Sequence, residues 1–595
     1  MSIMQTRDII DIMFDLENKD KKILQTIILM VVLYAWISLL GALFGIFYPV
    51  VIWAVWLGTC FVLYKKDILT FTMPTTNFLT YILIAVSFSL FIAFFTVPTI
   101  FSGRDQGSLT EASMRLTEQH SLIQHTPESD MFFDIYGRGK ALNFPGFFYT
   151  ADGGLITQFP LPYISFLGGF YGAFGISGLV IANCILLFTF IITITSGAMR
   201  FMSHRYTLVF LTILLSSFSI GWFAKFTLSE NFAATMLWSA FTLYFILKRS
   251  PSRITFFLFI LTISLLLFSR IEGIWFFFIF LFLALRNAPI QSFIKKDLWW
   301  HGFFPVTVLF VITCTVIIMN SPFILTMAKV STGAVSNVAN STNFIDKTSY
   351  LFSVYAIYGL LLPLTLTGIA SLIALRYKKY QRIILPIAVI FPLTLYYIFP
   401  HISGDHPWML RRFVFALLPA TILTSVTFIS YIRSTSILRQ TLKYTLISLL
   451  LLANIPAFAI FIFYTENKTL SEQVSKLSQN FSDNDLILVD KNAAGSGWSM
   501  ITNPLRLENK HAVYFFNPHD FAKIHTDAFD RVFLITSNQN KNLYTDVLSD
   551  KMNYITKYTI STEQLLLPKT KVIPPTFPKS HTVITRGIIY EIKNK

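Results

Sequence analysis

Between residues 23 and 464 the chain is broken into a succession of apolar runs, with cores near 23–46, 48–63, 78–98, 176–198, 207–223, 231–247, 254–269, 273–286, 303–320, 353–375, 383–399, 413–432 and 444–464. A helix needs roughly 20 apolar residues to cross the hydrocarbon of a bilayer, and there every backbone polar group must be bonded within the segment. The runs therefore predict a polytopic α-helical membrane protein with about 13 transmembrane helices. Composition supports this: 61 Phe, 54% hydrophobic residues and only 13% charged residues describe a chain at home in lipid.

The net charge of +16 would suggest a nucleic-acid partner in a soluble protein. Here the basic residues stand in clusters between apolar runs, the pattern that orients membrane helices, and no nucleic-acid partner is expected. Lys19, Lys21 and Lys22 precede the first run. The clusters Lys65/Lys66, Arg200/Arg205, Lys248/Arg249/Arg253, Arg286/Lys295/Lys296, Arg376/Lys378/Lys379/Arg382 and Arg433/Arg439/Lys443 follow every second crossing. This places 1–22 in the cytoplasm as an N-terminal segment without the pattern of a cleaved signal. It places the large loop 99–160, the turns at Lys225–Glu230 and Arg270–Glu272, segments 321–352 and 400–412, and everything after 465 on the external side of a cell membrane, periplasmic or extracellular. Cys60, Cys184 and Cys314 lie inside apolar runs without metal-ligand or CxxC spacing and read as small buried hydrophobes.

After residue 465 the apolar runs shorten and become β-rich (DLILVD, HAVYFF, RVFLIT, VITRGIIYEI), with polar helical stretches between them. A small external soluble α/β domain is expected over 465–595, beyond a transmembrane domain over 23–464. No phosphate loop, dinucleotide fingerprint or zinc signature occurs, and the GSG at 495–497 is too short to stand for one. A substrate transformed on this face would have to carry its own activation. Lipid-linked phosphosugars do: the sugar is already a phosphoester and the polyprenyl tail lies in membrane lipid.

Such a transfer needs a carboxylate to take the proton of the attacking hydroxyl, and guanidinium or ammonium groups where phosphate charge grows. Ionisable residues at the lipid boundary are functional candidates by default. Asp105, just beyond the third run, supplies the first, with Glu111 as the next acid; Arg270, Arg411 or Arg412 supply the second. Other acids on the same predicted face are Asp130, Asp134, Asp152, Glu230 and Glu272, with His401 and His406 beside the late arginines. For any one of them an interfacial snorkelling or capping role weighs about as much.

The motifs RDQGSLTEASMRL, GLITQFPLPYISFLGGFYGAFG, KFTLSEN, FSRIEGIWFF and HPWMLRRFVFALLPA, in that order over roughly residues 75 to 420, resemble those of the GT-C class of membrane glycosyltransferases, in the branch of protein mannosyltransferases and lipid A aminoarabinose transferases. The resemblance implies a GT-C-like catalytic domain and inverting transfer of a sugar from a polyprenyl-phosphate donor to an external glycan, lipid or protein acceptor. Asp105 would be the base, Arg270 and one of Arg411/Arg412 the donor-phosphate ligands, and Glu230 and Glu272 positioning groups or partners of those arginines. His401 and His406 would bind sugar or phosphate, or serve as interfacial hydrogen-bonding histidines. Many relatives carry Asp-Glu where this chain has Asp105-Gln106; no metal site is assigned, and a divalent cation is the one cofactor left open, with Glu111 as the substitute acid. A lipid-linked glycan transporter or flippase, and a noncatalytic membrane assembly protein, are the competing classes.

Overall fold

A computed structural model describes residues 16–298, 344–377, 380–397, 406–432, 436–495, 499–567 and 575–593. The predicted run at 303–320 and His401 lie outside these residues. The described chain is a helical bundle carrying a C-terminal α/β domain.

Among the described residues four helices are long and apolar enough to cross a membrane: Asn18–Leu43, Thr76–Phe94, Ile176–Ala198 and Ile437–Phe461. The number rises to eight if each bent pair is one span, against the thirteen predicted. The difference has physical causes. The predicted run at 207–223 is broken by a 58° bend at Ser217, and those at 273–286, 353–375 and 413–432 belong to pairs bent by 79°, 106° and 58°. Pro49–Lys65 and Arg253–Ser269 are continuous, but 17 residues of helix reach only about 26 Å, short of a roughly 30 Å hydrocarbon layer. Pro49–Lys65 still reads as lipid-facing, since it is apolar all round and buries only Ile52. The sequence reading also passed over Leu161–Phe174, a buried apolar helix that packs against Asn18–Leu43 and Asp105–Gln119.

Helix Ser229–Arg249 lies between Ile176–Ala198 and Arg253–Ser269 in the bundle centre and is buried along nearly its whole length. Its first turn and the turn after Arg253–Ser269 therefore arrive at the same end of the bundle, where the 99–160 segment covers them.

The C-terminal domain has a five-stranded mixed sheet of β1 (Leu486–Val489), β2 (His511–Tyr514), β3 (Val532–Ser537), β4 (Met552–Leu566) and β5 (Lys579–Ile592) in the order β2-β1-β3-β5-β4. The first three are parallel and fully or largely buried, which explains their continuous apolar runs. β3, β5 and β4 pair antiparallel, and β4 and β5 form a long hairpin. The domain is joined to the 99–160 segment by backbone and side chains. Ser102–Gly103 pairs antiparallel with Ser499–Met500, Asn503 Nδ2 donates to Ile100 O at 2.7 Å, and Asn143 Nδ2 donates to Tyr514 O at 2.7 Å.

Candidate functional site

The helix Asp105–Gln119 starts where an extended Arg104 turns into it, with Asp105 in the first turn, where a carboxylate is favoured by the helix dipole. Gly107 is required there, since a Cβ would stand 1.4 Å from Phe101 O. The helix carries many small polar residues yet is buried from Gln106 to Leu116. Its polar groups are met from neighbouring elements: Thr227 Oγ1 donates to Gln106 O at 2.8 Å, and Thr117 Oγ1 donates to Gly168 O at 2.9 Å. The result is a fixed platform with Asp105 at its open end.

Three other segments meet it. Glu230 is in the first turn of Ser229–Arg249. Arg270 and Glu272 occupy the tight turn between Arg253–Ser269 and Gly273–Arg286, and Gly273 closes that turn because a Cβ would lie 2.0 Å from Leu266 O. Arg411 begins a helical turn, Arg411–Val414.

Together they form one chain of charges. Arg411 Nη2 is 2.5 Å from Asp105 Oδ2, and its Nε is 3.7 Å from Glu230 Oε1. Arg270 Nη1 is 2.9 Å from the same Glu230 oxygen, while its Nε and Nη2 donate to the two Glu272 oxygens at 3.1 and 3.3 Å. Arg270 also donates to Ser229 Oγ at 3.1 Å, and its guanidinium lies 5.0 Å from the Phe415 ring centre. Exposure separates the roles: the Asp105 side chain is 42% exposed and Arg411 19%, whereas Glu230 and Glu272 are 4% and 6% exposed. An accessible carboxylate and a partly accessible guanidinium thus rest on a layer in which Arg270, 13% exposed, is shared by two buried carboxylates, Glu230 and Glu272.

The remaining predicted residues fall elsewhere. Glu111 points into the protein, where Ser102 Oγ donates to it at 2.8 Å and Arg115 Nε and Nη2 donate at 3.0 and 2.9 Å. A carboxylate so enclosed is a structural partner, and the structure does not bring it to the Asp105 cluster. Arg412 follows Arg411 on the same partly buried turn. His406 is buried and shares a hydrogen bond with Tyr358 OH at 2.9 Å. Asp130 and Asp152 flank exposed His125 at 3.5 and 3.6 Å, and Asp134 is exposed, so none joins the cluster. Among the described residues no group of three or more His, Cys, Asp or Glu is placed to hold a metal ion, and no step is derived through one.

Sequence reasoning missed a cavity of about 280 Å³ beside the start of the Asp105 helix, lined by residues 97–99, 101, 104, 106 and 107, Lys225–Phe226, His406–Trp408, 464–467 and the hairpin residues 564–567. Lys225 does not face a ligand there. Its Nζ donates to the carbonyls of Ile462 and Tyr464 at 2.5 and 2.9 Å and tethers the end of Ile437–Phe461. Arg104 stacks over Trp408 with its guanidinium carbon 4.8 Å from the ring centre. Burial pushes the Glu466 carboxyl up to about 7, with the Arg104 charge opposing the shift. Glu466 follows the last apolar run in an unremarkable FYTENK stretch, and only the fold brings it to the cavity. No family model matches this chain, and no curated protein matches it either.

Proposed function

We propose that this protein is an integral membrane glycosyltransferase that moves a sugar from a polyprenyl-phosphate donor to an acceptor on the external side of the membrane. The observation that carries the reading is the pairing of an accessible carboxylate, Asp105, with a partly accessible guanidinium, Arg411, over the Glu230–Arg270–Glu272 layer. In this reading the acceptor hydroxyl attacks the anomeric carbon and gives its proton to Asp105. The bond from that carbon to the phosphate oxygen breaks with inversion, and polyprenyl phosphate leaves with its new charge facing Arg411. Arg270, already engaged by two carboxylates and Ser229, braces Arg411 through the shared Glu230 and does not grip phosphate first-hand. A guanidinium suits the phosphate because it makes paired, charge-assisted bonds.

The test is release of polyprenyl phosphate from a lipid-phosphosugar donor by purified protein. Asp105→Asn should lower the rate by about 10²–10⁴, the usual worth of a general base, with an unchanged melting temperature. Wild-type turnover by that variant removes Asp105 from the mechanism. The four bent helix pairs favour a second reading, a transporter of lipid-linked glycan, since broken helices are a transporter feature. That reading expects movement of intact donor across a vesicle membrane without release of polyprenyl phosphate.

A further inference from the structure

The cavity beside the Asp105 helix takes no part in the proton and phosphate chemistry above. Its walls come from both the membrane bundle and the C-terminal hairpin, and its chemistry is specific. Gln106 is 3% exposed, lines the cavity, and its Oε1 has no hydrogen-bond partner among the described residues. An unmet buried amide oxygen costs roughly 1–3 kcal/mol; the Gln106 Oε1 is itself enclosed, so a donor in the cavity meets it once the amide turns toward the cavity. Glu466 lines a second wall, partly open to solvent, with a carboxyl that exists in both protonation states near neutrality and so can donate or accept. Gln564 reaches the cavity from β4, its Nε2 fixed by donation to Thr562 Oγ1 at 2.7 Å.

The two cations at the cavity are already engaged, Lys225 by backbone carbonyls and Arg104 by the Trp408 face. This argues against a cage for an anion, and a phosphate would also meet the Glu466 carboxylate. A lipid chain would leave the Gln106 amide unmet. A saccharide ring suits it better, because each hydroxyl both donates and accepts and the hydroxyls point outward in several directions, matching polar groups on separate segments, while its C–H faces match the aliphatic side chains of residues 565–567. A peptide presents its donors and acceptors along an extended backbone instead of around one ring.

Resting on the glycosyltransferase reading, we propose that this cavity binds the saccharide end of the acceptor, with Gln106, Glu466 and Gln564 as its polar contacts. The acceptor is then a glycan or glycolipid headgroup. Gln106 adjoins Asp105 in the chain, so a ring held here presents its hydroxyls at the same end of the helix as the base.

The experiment is saturation-transfer NMR on the full-length protein in lipid nanodiscs. The probes are an equimolar mixture of maltose, cellobiose and lactose, a threonine-containing tetrapeptide, and glycerol phosphate. Saturation should pass to saccharide ring protons, weaken in Glu466→Ala, and be lost in Gln106→Leu and Gln564→Leu. The Gln564 variant sits on a partly exposed hairpin strand and keeps the test valid if the buried Gln106 change unfolds the protein. Saturation of the peptide or of glycerol phosphate in place of the saccharides, or saccharide saturation untouched by Gln564→Leu, overturns the proposal. If the saccharide site fails while polyprenyl phosphate is still released from donor, only the acceptor assignment falls. If saccharide binds but no donor is ever cleaved, the glycosyltransferase reading falls and the binding site stands.

Discussion

At the scale of single residues, the described contacts divide the predicted acids and arginines by what already satisfies them. Arg270 makes four polar contacts with Glu230, Glu272 and Ser229, and removing one partner of such a buried pair leaves uncompensated charge worth about 3–5 kcal/mol. Arg270→Ala should therefore lower the melting temperature in detergent markedly, with Arg270→Lys recovering only part of it because an ammonium cannot span both Glu272 oxygens. Arg411→Ala should leave stability closer to wild type and weaken polyprenyl-phosphate binding instead. A melting temperature unchanged in Arg270→Ala would show that the buried layer is not the brace described. Glu128 tests a different contact. Burial alone would raise its carboxyl, but the hydrogen bond from His511, the charges of Arg506 and Arg115, and its own backbone bring it down to about 2. A carboxylate depressed in the folded state contributes stability that is complete above its ordinary value of 4.5 and is lost as pH falls through that value toward 2, up to about 3 kcal/mol. Hydrogen-exchange protection at β2, taken relative to the intrinsic rate at each pH, should fall across that window in wild type and stay flat in Glu128→Gln; an equal fall in both would exclude Glu128 as its source.

At the scale of elements, the turn formed by Arg270, Ile271, Glu272 and Gly273 shows how much of the site could be read in advance. Its charges between two apolar runs marked it, as charge did for Asp105 and Glu230, because ionisable residues at a lipid boundary stand out against hydrocarbon-like sequence. Which of them meet was not legible, since Glu111 and Asp105 lie on one helix and carry the same charge, yet Glu111 turns inward to Arg115. The count of about thirteen spans is not reproduced among the described residues for a related reason: hydropathy registers apolar length and is blind to a bend such as the one at Ser217. Glu466, Gln106 and the hairpin wall of the cavity were invisible because they join only through long-range packing of the C-terminal domain. The same turn supplies a prediction. Gly273→Ala places a methyl into Leu266 O, so the turn must open and Arg270 and Glu272 must move together. Stability should fall by about 1–3 kcal/mol, the usual cost of overpacking, and the catalytic rate should fall with it. A variant as stable and active as wild type would mean that the turn adapts at no cost.

At the scale of the whole molecule, the pairing of Ser102–Gly103 with Ser499–Met500, together with the Asn503 and Asn143 contacts, requires the 99–160 segment and the C-terminal domain to share one side of the membrane, whichever side that is. The predicted run at 231–247, folded as helix Ser229–Arg249, sets the expected other side, although it is not among the helices that qualify as spans by length and composition. Its Glu230 end belongs to the Asp105 cluster, and 21 residues of helix carry Lys248 about 30 Å away, the thickness of the hydrocarbon core. Single cysteines at the exposed positions Ile123 and Glu508, in a background without the native cysteines, should react with a membrane-impermeant maleimide together. Lys248→Cys should react only under the opposite condition. The alternation of basic clusters assigns the directions: Ile123→Cys and Glu508→Cys should label in intact cells, and Lys248→Cys only after the cells are opened. If Ile123→Cys and Glu508→Cys label from different sides, the docking of the C-terminal domain on the Asp105 segment is wrong, and the cavity between them with it. If both label only in opened cells, the docking survives but donor and acceptor must meet on the cytoplasmic face.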